Sequence, residues 1–120
     1  MMVKQKMSIR VKGGIHQDKT ITLSVINWCI THFHLDSGID INISLLSFTD
    51  CYGTCVDNNN DGYDIEINSN QSLRDFVATI VHEMVHVKQY VTGEWQGEGE
   101  REANKLQYKL ADKIWKENVI

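Results

Sequence analysis

Residues 82–86 read His-Glu-Met-Val-His, an H-E-x-x-H spacing that suits a catalytic zinc site when a helix carries it. Two imidazoles four residues apart stand one above the other, because a helix climbs about 5.4 Å per turn. Their ring nitrogens can then converge on one ion at about 2.0 Å, which makes His82 and His86 the candidate ligands. Glu83 projects from a neighbouring part of the same helical surface, close enough to take a proton from a water that the metal acidifies without itself coordinating. It is the candidate general base.

A catalytic zinc normally takes three protein ligands and leaves the fourth position to water, so another donor must arrive from elsewhere. Glu98, Glu100 and Glu102 are all within reach of a chain that leaves this helix near Tyr90, reverses and packs back across it. Helical phase separates them. Glu100, Ala103 and Asn104 share a face at steps of three and four, whereas Glu102 is turned about 200° from Glu100. Small Ala103 on that face lets two helices approach closely. Glu100 is assigned as third ligand, with Glu102 as the fallback.

The elements that must position these groups are legible in the pattern of apolar residues. Ser72 with Asp75 three residues on approximates a capping box, and Leu73, Phe76, Val77, Ile80, Val81, Met84 and Val85 trace a wide stripe to about Tyr90. Thr92-Gly93 predicts the stop. The loop Glu94 to Gly97 leads to a predicted final helix, about Glu98 to Glu117, with Ala103, Leu106, Leu110, Ile114 and Trp115 on its inner side. Upstream, Met7 to Val11 alternates as a short strand does, and Gly13-Gly14 breaks it. A first helix is predicted from about Ile21 to Phe33, where Leu23, Ile26, Ile30 and Phe33 recur at three- and four-residue steps.

Asp40 to Phe48 is rich in β-branched residues and reads as a half-buried strand. Tyr52 to Val56 and Tyr63 to Ile67 predict two more, joined by the polar stretch 57–62, whose Asp-Gly pair favours a hairpin turn. The expected fold is α+β. A mainly antiparallel sheet of three to four strands packs on the ligand-bearing helix, flanked by an N-terminal helix and a C-terminal glutamate helix.

His82-Glu83-Met84-Val85-His86 followed by Glu100-Arg101-Glu102-Ala103-Asn104 resembles the gluzincin metallopeptidase pattern, H-E-x-x-H and then E-x-x-A-D. The similarity is closest to the small single-domain minigluzincins and to ImmA/IrrE-like phage and mobile-element peptidases, in which an E-x-x-A-N variant also occurs. It spans roughly Ser72 to Asp112. The resemblance implies a zincin-like domain, a Zn2+ cofactor held by His82, His86 and Glu100, and peptide-bond hydrolysis. It also implies that Asn104 hydrogen-bonds a zinc-binding histidine and so holds the ring in place. It further implies that the strand Tyr63 to Asn68, with Tyr63, Ile65 and Glu66, is an exposed sheet edge along which an extended peptide or protein substrate pairs. Tyr90, Tyr63, Trp95 and His34 stand open as stabilisers of the transition state.

Size and composition set outer bounds. One hundred and twenty residues suffice for a single domain, here 1–120. Twelve basic against sixteen acidic residues give a net charge of -4, and no run of Lys and Arg suggests a phosphate-binding surface, so no nucleic-acid partner is expected. No stretch of about 18 apolar residues offers a membrane span, and the basic start lacks the apolar core of a secretory signal. Three cysteines, Cys29, Cys51 and Cys55, suit a reducing compartment. A cytoplasmic monomer is expected.

Several features have ordinary explanations. Asp57-x-Asn59-x-Asp61-Gly62 imitates the opening of a calcium loop, but position twelve is Asn68 and no helices flank it, so a hairpin turn is preferred. Cys51 and Cys55 lack a second pair and read as turn or buried cysteines, and His32-x-His34 reads as a helix-end feature. Two other functional classes compete with a peptidase. One is a catalytically inactive zincin-like binding module of a phage or mobile element, and the other a structural α+β protein with an accidental motif.

Overall fold

A computed structural model describes residues 8–35, 38–47, 51–58, 62–94, 97 and 99–120. The element order is β1 (Ser8–Gly13), α1 (His16–His32), β2 (Asp40–Leu46), β3 (Gly53–Asp57), β4 (Gly62–Asn68), α2 (Leu73–Thr92) and α3 (Glu100–Lys116). Of the expected features, Met7, Phe48, the loop tip 59–61, Trp95 and Glu98 lie outside the described residues.

The domain is α+β, but its sheet is mixed rather than mainly antiparallel. The strand order is β1-β2-β4-β3. β1 runs parallel to β2, with Ile9 opposite Ile41, and β2 runs parallel to β4, with Ile43 opposite Ile65. Only β3 and β4 pair antiparallel, with Cys55 opposite Ile65. The reason lies in the connections. Two strands separated by a helix must run the same way if the helix is to cross back over the sheet, and α1 does this between β1 and β2. Only four residues, by contrast, separate β3 from β4, too few for a crossover, so the two pair in opposite directions. β3 therefore folds outward, and β4 takes the place beside β2.

Alternation along the strands separates the two faces of the sheet. Ile41, Ile43 and Leu45 of β2 and Tyr63, Ile65 and Ile67 of β4 are buried. Between them Asn42 donates to Asp64 Oδ1 at 3.2 Å, on the open face. The buried face is covered by α1, through Val25, Ile26 and Cys29, and by α2, through Val77, Ile80, Val81 and Met84. Each of these Val, Ile and Met side chains contributes about 1.5–3 kcal/mol by leaving water.

α2 is bounded much as expected. Ser72 is its N-cap, accepting from the Asp75 amide at 3.3 Å, and Gly93 closes it with φ 70. α1 begins five residues earlier than the apolar stripe predicts, because its first turn is polar and is held by the Asp18 carboxylate accepting from the Ile15 amide at 3.2 Å. α3 turns Ala103, Leu110 and Ile114 inward as expected, with Leu106 partly buried, whereas Trp115 is 55% exposed and lies on the outer side. No helix among the described residues is long and apolar enough to cross a membrane.

Candidate metal centre

α2 places His82 and His86 on one face, one turn apart, with ring centroids 5.0 Å apart and planes at 76°. α3 crosses this face. Ala103 is fully buried at the crossing, and its single methyl group lets the helices approach until Glu100, one turn before it, reaches both rings. Glu100 Oε1 lies 2.6 Å from His86 Nε2, and Oε2 lies 3.3 Å from His82 Nε2. One ligand atom from each of the three residues falls within 4.8 Å of the others.

This donor set fits a zinc ion. Tetrahedral ligands at 2.0–2.2 Å from a metal stand about 3.3 Å from one another, which matches the His82–Glu100 separation. The shorter His86–Glu100 distance is that of a hydrogen bond, close enough for a single proton to lie between Nε2 and the carboxylate. A metal held by both groups would take the place of that proton, and the contact would have to open from 2.6 Å toward the spacing of two ligands. Glu102, the fallback ligand, points elsewhere: it accepts from Lys88 Nζ at 3.2 Å and from Gln89 Nε2 at 2.9 Å.

Glu83 sits beside the two imidazoles and is only 4% exposed. Burial pushes its carboxyl above the ordinary glutamate range and nearby Glu100 pushes the same way, while His82 and His86 partly offset the shift. A raised pKa makes the carboxylate a stronger base. Gly53, the first residue of β3, faces this carboxylate. The cleft opens on both sides of the triad. One limb, about 490 Å3, is bounded by Cys51, Gly53, Asp75, Asn104 and Tyr108, and the other, about 370 Å3, by Gly53, Cys55, Gln89 and Tyr90. Cys55 is largely buried and its thiol is pushed up to about 12, chiefly by that burial, so it is a poor nucleophile.

The structure does not bring the expected substrate residues to the cleft. β4 is an interior strand with partners on both sides, so Tyr63 to Asn68 is not a sheet edge. Tyr63 and Ile65 are in the core, Tyr63 stacking on Tyr90 at 5.7 Å, and Glu66 accepts from Thr54 on the open face at 3.4 Å. The strand that borders the triad is β3. Asn104 lines the cleft but makes no hydrogen bond to either imidazole among the described residues. Gln107 Oε1 meets His82 Nδ1 at 2.6 Å, and Gln89 Oε1 meets His86 Nδ1 at 2.9 Å.

Of the possible transition-state stabilisers, Tyr90 borders the smaller limb, His34 lies at the end of α1 with φ 57, and Trp95 is outside the described residues. Tyr108 enters the larger limb unanticipated, its hydroxyl donating to Asp75 Oδ1 at 2.7 Å and its ring lying 4.5 Å beneath the Arg74 guanidinium. Its signal was available: residues 104, 107 and 108 fall on the same side of α3 as Glu100 by helical repeat. Basic residues scattered in sequence also meet, with Lys88, Arg101, Lys105 and Lys109 bordering a surface groove of about 690 Å3. Glu94 and Glu102 share that groove, so its charge is mixed.

No protein-family model matches the chain, and no curated protein or solved structure is significantly similar to it.

Proposed function

We propose that this chain is a zinc-dependent metallopeptidase that hydrolyses peptide bonds, with His82, His86 and Glu100 holding the metal and Glu83 as general base. The observation that carries this reading is the convergence of two imidazoles and one carboxylate from two helices within 4.8 Å, beside a buried glutamate that is not one of the three. Zinc held there supplies Lewis acidity toward a carbonyl oxygen and a water molecule.

The protein's own residues do the rest. Glu83 accepts a proton as the water oxygen attacks the scissile carbonyl carbon, then delivers it to the amine as the C–N bond breaks. Its burial supports the first step, because a carboxylate in water would be too weak a base to compete. The second water proton stays on the new carboxyl group and leaves to solvent when that product ionises, so no covalent intermediate is needed. Among the described residues β3 pairs only with β4, so its other side offers main-chain groups to an extended peptide, a mode of binding that reads backbone more than sequence. The three free thiols suit action in the cytoplasm.

Elemental analysis of protein purified without added zinc, paired with cleavage of an unstructured protein, tests the reading. Stoichiometric zinc and a cleavage activity lost to a chelator and restored by zinc are expected. Zinc without hydrolysis points to a binding module, and absence of bound metal overturns both in favour of an accidental motif.

A further inference from the structure

An imidazole offers a metal only the nitrogen that lacks a hydrogen, and the partner of the other nitrogen decides which one that is. At His86 the partner is the Gln89 side chain, whose amide could in principle be turned either way. Its other contacts remove that choice. Gln89 Nε2 lies 2.9 Å from the Gly99 carbonyl oxygen and 2.9 Å from Glu102 Oε1. A carbonyl and a carboxylate are acceptors only, so the NH2 group must face them. The Glu102 carboxylate is in turn held by Lys88 through its other oxygen. Gln89 Oε1 is thereby left facing His86 Nδ1 at 2.9 Å, where it can only accept. Nδ1 must carry the hydrogen, and Nε2 is the nitrogen turned to Glu100.

His82 repeats the pattern with a residue of the other helix. Gln107, two turns beyond Glu100 on α3, brings Oε1 to 2.6 Å from His82 Nδ1, while His82 Nε2 faces Glu100. One helix thus supplies both the third ligand and the group that orients the first.

We infer that Gln107 and Gln89, and not Asn104, are the positioning residues of this centre: their amide oxygens fix His82 and His86 with hydrogen on Nδ1. The Lys88–Glu102–Gln89–Gly99 chain is the anchor that makes the second of these obligatory. The inference rests on the metallopeptidase reading for the identity of the ion, but the placement of the hydrogens does not depend on it. Gly99 belongs to the same device. Its φ is +81, and a Cβ there would stand 2.4 Å from Gln89 Oε1, so any side chain would displace the amide that orients His86.

Two measurements test this. Long-range proton–nitrogen correlation spectra of the histidine rings, recorded near neutral pH on metal-free and zinc-loaded protein, should show hydrogen on Nδ1 of both His82 and His86. A bare Nδ1 on either ring overturns the assignment, whether or not zinc binds. Competition with a chromophoric zinc chelator then separates the residues. Gln107→Leu should weaken zinc about 10- to 100-fold, Gln107→Glu, which keeps an acceptor, should not, and Asn104→Leu should leave affinity unchanged. A loss with Asn104→Leu and none with Gln107→Leu would overturn it. Failure of the wild-type protein to bind zinc counts against the proposed function alone, since the ring spectra are read without metal.

Discussion

Gly53 and Glu83 face each other across the join of β3 and α2, so closely that a Cβ at position 53 would stand 3.1 Å from Glu83 Oε2. The same carbon would be 2.8 Å from Thr79 Cγ2 and 3.0 Å from the Glu66 carbonyl oxygen. No positive φ is involved, so the glycine provides room and not a special backbone shape. Gly53→Ala is expected to cost about 1–3 kcal/mol through overpacking and to displace the base. Urea unfolding and peptide hydrolysis measured together check this, and unchanged values in both would show that the strand can yield.

Glu83→Gln keeps the volume of the side chain and removes its basicity. Hydrolysis should fall at least about 10²- to 10⁴-fold while zinc content is retained. Folding also raises the pKa of this carboxyl, so its ionised form destabilises the folded chain above the ordinary glutamate range, about 4.3, and has no such effect below it. The metal-free Gln variant should therefore melt higher than wild type near neutral pH, with the gain vanishing in acid. An unchanged turnover rate would remove Glu83 from its assigned role.

Glu100 and Glu102 are two residues apart yet serve different partners, which zinc content can separate. Glu100→Ala removes the carboxylate that meets both imidazoles, so most of the bound zinc should be lost. Glu102→Ala leaves that carboxylate in place and removes the acceptor of Gln89 and Lys88, so it should weaken zinc far less. The opposite ranking would reassign the third ligand.

Asp75 and Tyr108 tie the start of α2 to the middle of α3. The Tyr108 hydroxyl, and secondarily Ser72, hold the Asp75 carboxyl below its usual range. A carboxylate with a depressed pKa contributes stability that is present above its unfolded pKa and lost as pH falls through the folded value. Tyr108→Phe should lower the urea midpoint at neutral pH, and the difference from wild type should close in acid. A difference that persists at low pH would mean that the ring packing, not the hydrogen bond, is what the hydroxyl disturbs.

Ala103 sets the spacing between α2 and α3. Ala103→Leu adds volume at a fully buried crossing and should destabilise by about 1–3 kcal/mol. Pushing α3 outward also carries Glu100 away from the imidazoles, so zinc affinity should fall although no ligand is changed. Calorimetric zinc titration beside urea denaturation checks both effects.

What could be read from the chain alone was whatever depends on short-range periodicity. The helical repeat of 3.6 puts His82, Glu83 and His86 on adjoining positions of one surface and separates Glu100 from Glu102, so the choice of candidate ligands follows from spacing once helices are granted, while the approach of Glu100 to the rings depends on how α3 crosses α2. Amphipathic alternation likewise marked each strand to within a few residues. Strand direction was decided elsewhere. Alternation looks the same whichever way a neighbour runs, and it is the α1 crossover and the outward fold of β3 that make the sheet mixed and put β3, not β4, beside the cleft. The partners of the imidazoles were also a tertiary matter. Gln89 and Gln107 carry no motif, and their roles arise only where two helices, a glycine carbonyl and the Glu102 carboxylate meet, because a hydrogen bond depends on distances that sequence separation does not encode.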